Sequence, residues 1–181
     1  AMAQYRLGNC YYHGSGVKGD YKQAVKWFKL SADQGDEDAQ FRLGECYQFA
    51  QGIKKSHREA IKYFRLAADQ NHARAQYRLG HCYYYGHGVK EDYKQAVKWF
   101  KLAADQGDAK AQNMLGYCYY FGDGVKEDVK QSVKWLKLSA DQDHAAAQYM
   151  LGYFYYFGQG VKEDHKQAVK YFKLSADQGD E

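Results

Sequence analysis

AQYRLGHCYYYGHGVKEDYKQAVKWFKLAADQG, residues 75–107, decides the fold, because the same string returns along the chain at a fixed interval. Its Leu79-Gly80 pair recurs as Leu7-Gly8, Leu43-Gly44, Leu115-Gly116 and Leu151-Gly152, a period of 36 residues without insertion or deletion. A unit of that length cannot bury its apolar face alone, so such units stack and each touches mainly its neighbours. The 181 residues are therefore one repeat array, with units at about 3–38, 39–74, 75–110, 111–146 and 147–181, and not a set of globular domains. Ala1-Met2 stand outside the pattern and are expected to be a remnant of expression. Asp180-Glu181 stand where a sixth unit would open, so the chain is expected to be a fragment of a longer one.

Within the first unit Ala3, Leu7 and Tyr11, flanked by Gln4 and Cys10, fall on one side of a 3.6-residue wheel, which predicts a first helix over about 3–13. Gly14 and Gly16 follow, and they recur as Gly86/Gly88, Gly122/Gly124 and Gly158/Gly160, the pattern of a left-handed C-terminal cap and a tight turn. Asp20 with Gln23 three residues on predicts the N-cap of a second helix reaching about residue 33. Asp92/Gln95, Asp128/Gln131 and Asp164/Gln167 repeat that signal. Ala24, Trp27, Phe28 and Ser31 line one face of the second helix, and Asp36 and Asp108 stand ready to cap the first helix that follows. The second unit departs from this scheme: Ala50 replaces the cap glycine, Ser56 replaces the capping Asp, and residues 51–55 lack an acidic side chain. An Ala in a left-handed cap costs about 1 kcal/mol, so this turn is expected to be rebuilt.

The chain has no proline and 27% charged residues, which suits helices joined by glycine turns. It contains no run of about 18 apolar residues and no charged-then-apolar leader, so nothing in it spans a membrane or directs secretion. Cys10, Cys46, Cys82 and Cys118 share one repeat position, which Phe154 takes in the fifth unit. Equivalent points on packed helical units lie about 10 Å apart, beyond the roughly 7 Å that a disulfide tolerates between Cα atoms. Free, buried thiols are the expectation. A metal site would need His or Cys one turn apart on a helix, a spacing this position lacks, and no cofactor is expected. Free thiols imply a reducing, intracellular compartment, with any native targeting signal lying outside the chain.

The string from Ala75 to Gly107, with its Ala-Gln-x-x-Leu-Gly-x-Cys-Tyr-Tyr opening, paired turn glycines, Asp92 and Trp99-Phe100 step, resembles the Sel-one-like repeat (SLR) family, a relative of the tetratricopeptide repeat with a longer turn between its helices. The resemblance covers essentially the whole chain. It implies a right-handed α-solenoid of five helix pairs, all-α, and a role as an adaptor or scaffold for protein partners. Relatives stapled by disulfides carry two cysteines per repeat, a pattern that is not met here.

The first helices carry apolar residues on both sides, which one buried face does not explain. Opposite the Leu7 stripe lie Tyr5, Asn9, Tyr12 and His13, and in the same register Phe41, Glu45, Gln48 and Phe49; Tyr77, His81, Tyr84 and Tyr85; Asn113, Tyr117, Tyr120 and Phe121; and Tyr149, Tyr153, Tyr156 and Phe157. In tetratricopeptide arrays these positions line the concave surface, so the resemblance implies a groove walled by Tyr and Phe, the side chains of interface hot spots. The Tyr12, Tyr84, Tyr120 and Tyr156 series is regular enough to be a stacking contact. The positions of Tyr5, Asn9 and His13 vary between units, which marks them as free of that constraint. The expected ligand is a protein partner, presenting an extended peptide or a helix.

The second helices carry a basic ladder: Lys22, Lys26 and Lys29; Arg58, Lys62 and Arg65; Lys94, Lys98 and Lys101; Lys130, Lys134 and Lys137; Lys166, Lys170 and Lys173. The spacing puts each triplet on one solvated face. An alternative function follows from it, electrostatic binding of nucleic acid or anionic membrane. The net charge of only +4 and the lack of a nucleic-acid-reading motif make a nucleic acid partner the weaker reading. The histidines share no site with a nucleophile or carboxylate, His72 and His144 standing where Asp36 and Asp108 stand elsewhere, and no Walker loop, zinc pattern or nucleophile elbow is present. No enzyme is expected. End-to-end self-association through the outermost helices is a further expectation.

Overall fold

The computed structural model describes residues 1–179. They form ten α-helices and no strand: α1 (Met2–His13), α2 (Tyr21–Ala32), α3 (Glu37–Phe49), α4 (His57–Asp69), α5 (Ala73–Tyr85), α6 (Tyr93–Asp105), α7 (Ala109–Phe121), α8 (Val129–Ala140), α9 (Ala145–Phe157) and α10 (His165–Ala176). The helices gather into two compact units, Ala1–Glu91 and Asp92–Glu181. In the first, α1 to α5 each pack on the next; in the second, α6 to α10 do the same. The architecture is the expected all-α solenoid of helix pairs.

Helix ends fall within about two residues of the sequence reading because local chemistry sets them. The carboxylates of Asp20, Asp92, Asp128 and Asp164 accept from the backbone N–H of Gln23, Gln95, Gln131 and Gln167, and Asp36 and Asp108 accept from Ala39 and Ala111. Ser56 does the same for Glu59, and the His72 Nδ1 accepts from Ala75 at 3.1 Å. Each cap of this kind contributes about 1 kcal/mol.

The turn after α3 corrects one expectation. It is not rebuilt: Ala50 holds the left-handed cap at φ 60°, ψ 33°, and its N–H reaches the Cys46 carbonyl as the glycine caps reach their counterparts. The reason lies one step further on. A Cβ on Gly52 would collide with the Tyr21 carbonyl, so this turn is pressed against the start of α2, and stacking holds the loop in shape despite the alanine.

The core of each unit is a seam between helices. In the first unit Ala24, Val25, Phe28 and Ala32 of α2 meet Ala39, Leu43 and Cys46 of α3; in the second, Val133, Leu136 and Ala140 of α8 meet Ala147, Met150, Leu151 and Phe154 of α9. Phe28, Phe64 and Phe154 are wholly buried, and each such side chain contributes roughly 2–3 kcal/mol. The seam carries one polar thread. Gln40 donates to the Ala32 carbonyl and accepts from Gln70, and Gln112 and Gln148 repeat both bonds with Ala104 and Gln142 and with Ala140 and Gln178. These buried amides therefore fix register without leaving an unpaired group.

Candidate functional site

The residues expected to wall a groove separate into three layers. The exposed layer is Phe49 and Tyr85 in the first unit, with Phe121, Tyr149, Tyr156 and Phe157 in the second; Phe121 is 60% exposed and Tyr149 and Phe157 are each 55%. A half-buried layer supports them: Tyr5, Tyr77, His81, Tyr84, Tyr117, Tyr120 and Tyr153. Asn113, expected to face the groove, lies in the core instead, 7% exposed, because the short amide is covered by its neighbours where the longer Tyr149 at the same repeat position reaches solvent. Phe41 and Glu45, in the same register as groove residues, are buried too.

The exposed rings are braced. One turn earlier on the same helix, Tyr117 stacks on Phe121 at 6.2 Å and Tyr153 meets Phe157 at 4.6 Å, while Tyr120 and Tyr156 sit edge-on to those same rings at 4.8 Å each. Residues one turn apart on a helix are face neighbours, so the pattern follows from the sequence spacing. Tyr12 and Tyr120 behave as stacking residues: their hydroxyls donate to Gln51 and Gln159 in the turn of the next repeat, at 2.7 and 3.2 Å. Beside Tyr117 and Tyr149 lies an open cleft of about 520 Å³ that Ala146 and Ser175 also line.

The two units differ in character. In the first, the Glu45 carboxylate is held by Arg42 and Arg78 at 3.1 Å each with Arg74 at 4.0 Å, and these guanidinium groups lie over the rings of Tyr12, Phe49 and Phe41. Three imidazoles cluster nearby, His87 lying 5.6 Å from His57 and 5.7 Å from His81 between ring centres. Burial, together with His87 and Arg78, pushes the His81 imidazole down to about 4. These arginines are not singled out in the sequence reading above, although the sequence carries a signal for two of them. The residue before each Leu-Gly pair is Arg6, Arg42, Arg78, Met114 and Met150 in turn, so the charged face gives way to an apolar one within the sequence itself.

The basic ladder is partly engaged with rings. Lys98 and Lys134 lie 5.8 and 5.6 Å from the centres of Trp99 and Trp135, and Lys29 and Lys137 reach Tyr47 and Tyr155 of the following first helix at 6.0 and 5.7 Å. Cation–ring contacts of this kind give the regular spacing a structural use. Cys10, Cys46, Cys82 and Cys118 are free thiols, and burial raises Cys46 and Cys118 to about 12 and Cys82 to about 11. Among the described residues no group of His, Cys, Asp and Glu is arranged to hold a metal, and no helix is long and apolar enough to cross a membrane.

Comparison with known proteins agrees with this geometry. The Sel1 repeat family model matches five times, at residues 1–36, 37–72, 73–108, 109–144 and 145–180, a frame two residues earlier than the sequence reading placed it. Two solved structures are similar over 99% of the chain. One is c5321, a protective antigen of uropathogenic Escherichia coli strains displaying an SLR fold (41% identity, TM-score 0.94), of which the match spans 38%. The other is a Sel1 repeat protein from Oxalobacter formigenes (40% identity, TM-score 0.92), of which it spans 73%. Immunity protein Pa5087 from Pseudomonas aeruginosa, at 21% identity and TM-score 0.62 over 98% of this chain and 66% of its own, shares the fold. No curated protein matches the sequence. The chain belongs to the Sel1 repeat family, whose members are generally protein–protein interaction scaffolds and typically not enzymes.

Proposed function

We propose that the chain is a scaffold that holds a partner peptide or helix on the aromatic face of its first helices, with the strongest site on α7 and α9. The observation that carries this reading is the exposure of Phe121, Tyr149 and Phe157, two of them braced by neighbouring tyrosines. Large rings left in water cost hydration free energy, and rings already held in place lose little freedom when a partner covers them. The surrounding positions, Met114, Tyr117 and Tyr153, are apolar or aromatic, which suits the non-polar side of an amphipathic segment. The free thiols support a reducing compartment as the setting. The ring contacts made by Lys98, Lys134 and Lys137 favour a structural use of the basic ladder over nucleic acid or membrane binding.

The test is a quantitative pull-down at physiological salt, comparing the wild-type chain with a triple variant Phe121→Ala, Tyr149→Ala, Phe157→Ala. All three side chains are exposed, so helix content and melting temperature are expected to stay close to wild type. Truncation of an interface anchor costs about 1–2 kcal/mol, and loss of three is expected to release the partner. Partners retained by the variant would remove this face from consideration and shift attention to the second-helix ladder.

A further inference from the structure

Glu45 is a buried carboxylate, 6% exposed, on which three guanidinium groups converge. Arg42 donates to its Oε2 and Arg78 to its Oε1 at 3.1 Å each, while Arg74 comes only to 4.0 Å of Oε1. One carboxylate therefore faces three cations, and two positive charges of the cluster stay uncompensated by it. Each guanidinium also lies on a ring: Arg74 over Phe41 at 4.8 Å, Arg78 over Phe49 at 5.5 Å and Arg42 over Tyr12 at 5.7 Å. Ring and carboxylate together hold the planar forks, so their remaining N–H donors are oriented before a ligand arrives. Arg74 is the open member, its side chain 59% exposed against 23% for Arg42 and 25% for Arg78, and Phe49 beside Arg78 is 52% exposed. The equivalents of Glu45 in the other repeats are Asn9, His81, Tyr117 and Tyr153. Stacking of one repeat on the next therefore does not require this cluster.

We propose that the arginine trio of α3 and α5 is a docking point for an acidic side chain in an exposed segment of a partner protein, with an adjacent apolar residue of that segment lying against Phe49. A carboxylate matches the guanidinium forks in plane and in charge, and Arg74 and Arg78 can share it as they share Glu45. A row of phosphates fits worse. Asp38, its side chain 57% exposed, pairs with His72, whose ring stacks on the same Phe41 that Arg74 covers. An exposed carboxylate thus borders the cluster and repels an extended polyanion, whereas a single acidic side chain can be seated clear of it. The proposal concerns the first unit alone and stands whether or not α7 and α9 hold a partner.

The test uses N-acetyl-glutamyl-phenylalaninamide as the probe and its glutaminyl analogue as the uncharged match, followed by NMR at the arginine Nε–Hε signals of the isotope-labelled chain. The glutamyl probe is expected to shift the Arg74 and Arg78 signals saturably at about millimolar concentration, and the glutaminyl probe is expected to leave them in place. Arg74→Gln, at an exposed position, is expected to weaken the glutamyl probe about fivefold, as loss of one exposed ion pair does. Phe49→Ala is expected to weaken it as well, and Lys62→Gln on the basic ladder to change nothing, each variant keeping the wild-type circular dichroism. Equal shifts from the two probes, or none at Arg74 and Arg78, overturn the proposal without recourse to a variant. So does an affinity lowered by Lys62→Gln but not by Arg74→Gln, which moves binding to the ladder. Inorganic phosphate that shifts the same signals at lower concentration than the glutamyl probe, and is indifferent to Phe49→Ala, overturns it too, since it marks a site for phosphate-bearing ligands.

Discussion

Gly44 and Gly116 hold the same place after the conserved-in-register leucine, and their reason for being glycine is contact. A Cβ on Gly44 would come within 2.6 Å of two Phe64 ring atoms, and one on Gly116 within 2.6 Å of Leu136 Cγ. Both partners are fully buried, so neither can move away freely. Alanine gains about 1 kcal/mol of helix propensity over glycine, whereas forcing a methyl group into a packed seam costs about 1–3 kcal/mol. Gly44→Ala is therefore expected to lower stability in urea denaturation, and by more than Gly116→Ala, because a flat ring pressed against the helix has fewer alternative rotamers than a leucine. Equal or improved stability for Gly44→Ala would mean that Phe64 is not seated as described. Ala50 gives the opposite case. It occupies a left-handed cap at φ 60°, a conformation that disfavours a Cβ by about 1–2 kcal/mol, so Ala50→Gly is expected to raise the midpoint of thermal unfolding, even after the added entropy of glycine in the unfolded chain.

At the scale of the element, helix boundaries and caps were legible in the sequence because a cap is decided by residues three apart, and Asp20 with Gln23 or Ser56 with Glu59 supply everything needed. What a helix face meets was only half legible. The 3.6-residue wheel places Tyr149 and Asn113 at one repeat position, yet Tyr149 is 55% exposed and Asn113 is 7% exposed, since the neighbouring helices and not the wheel decide burial. The arginine trio around Glu45 escaped for a similar reason: Arg74 and Arg78 belong to the first helix of the next repeat and meet the carboxylate only once α3 and α5 have folded near one another. The same packing makes α5 sensitive to acid. His81 is neutral in the folded chain because burial, His87 and Arg78 all disfavour its cation, lowering it from 6.5 to about 4. The unfolded chain takes up the proton first as pH falls through about 6.5, so the stabilisation is whole above that pH, declines on acidification and is exhausted near pH 4. His81→Gln is expected to flatten the fall in stability between pH 6.5 and 4, read as the denaturation midpoint at each pH. A variant as acid-sensitive as the wild type would place the proton uptake elsewhere.

Across the whole molecule, an array whose seams are each made by neighbouring helices opens locally, and its stability is close to a sum of unit and seam contributions. Three of the four cysteines report on those seams. Cys46, Cys82 and Cys118 are buried, and burial lifts their thiols to about 12, 11 and 12, so the reactive thiolate is scarce and inaccessible until the seam around it opens. Cys10 is half-buried on α1. Reaction with a thiol-specific disulfide reagent at neutral pH is expected to modify one cysteine per chain quickly and three slowly, and peptide mapping is expected to locate the fast one at Cys10. Low denaturant concentrations, below the global transition, should speed the slow class by promoting seam opening, and differences among the three rates would rank the seams. Four equally fast thiols would contradict a packed seam at every repeat. Three equally slow thiols that quicken only at the global transition would show instead that the seams open together, as one cooperative body.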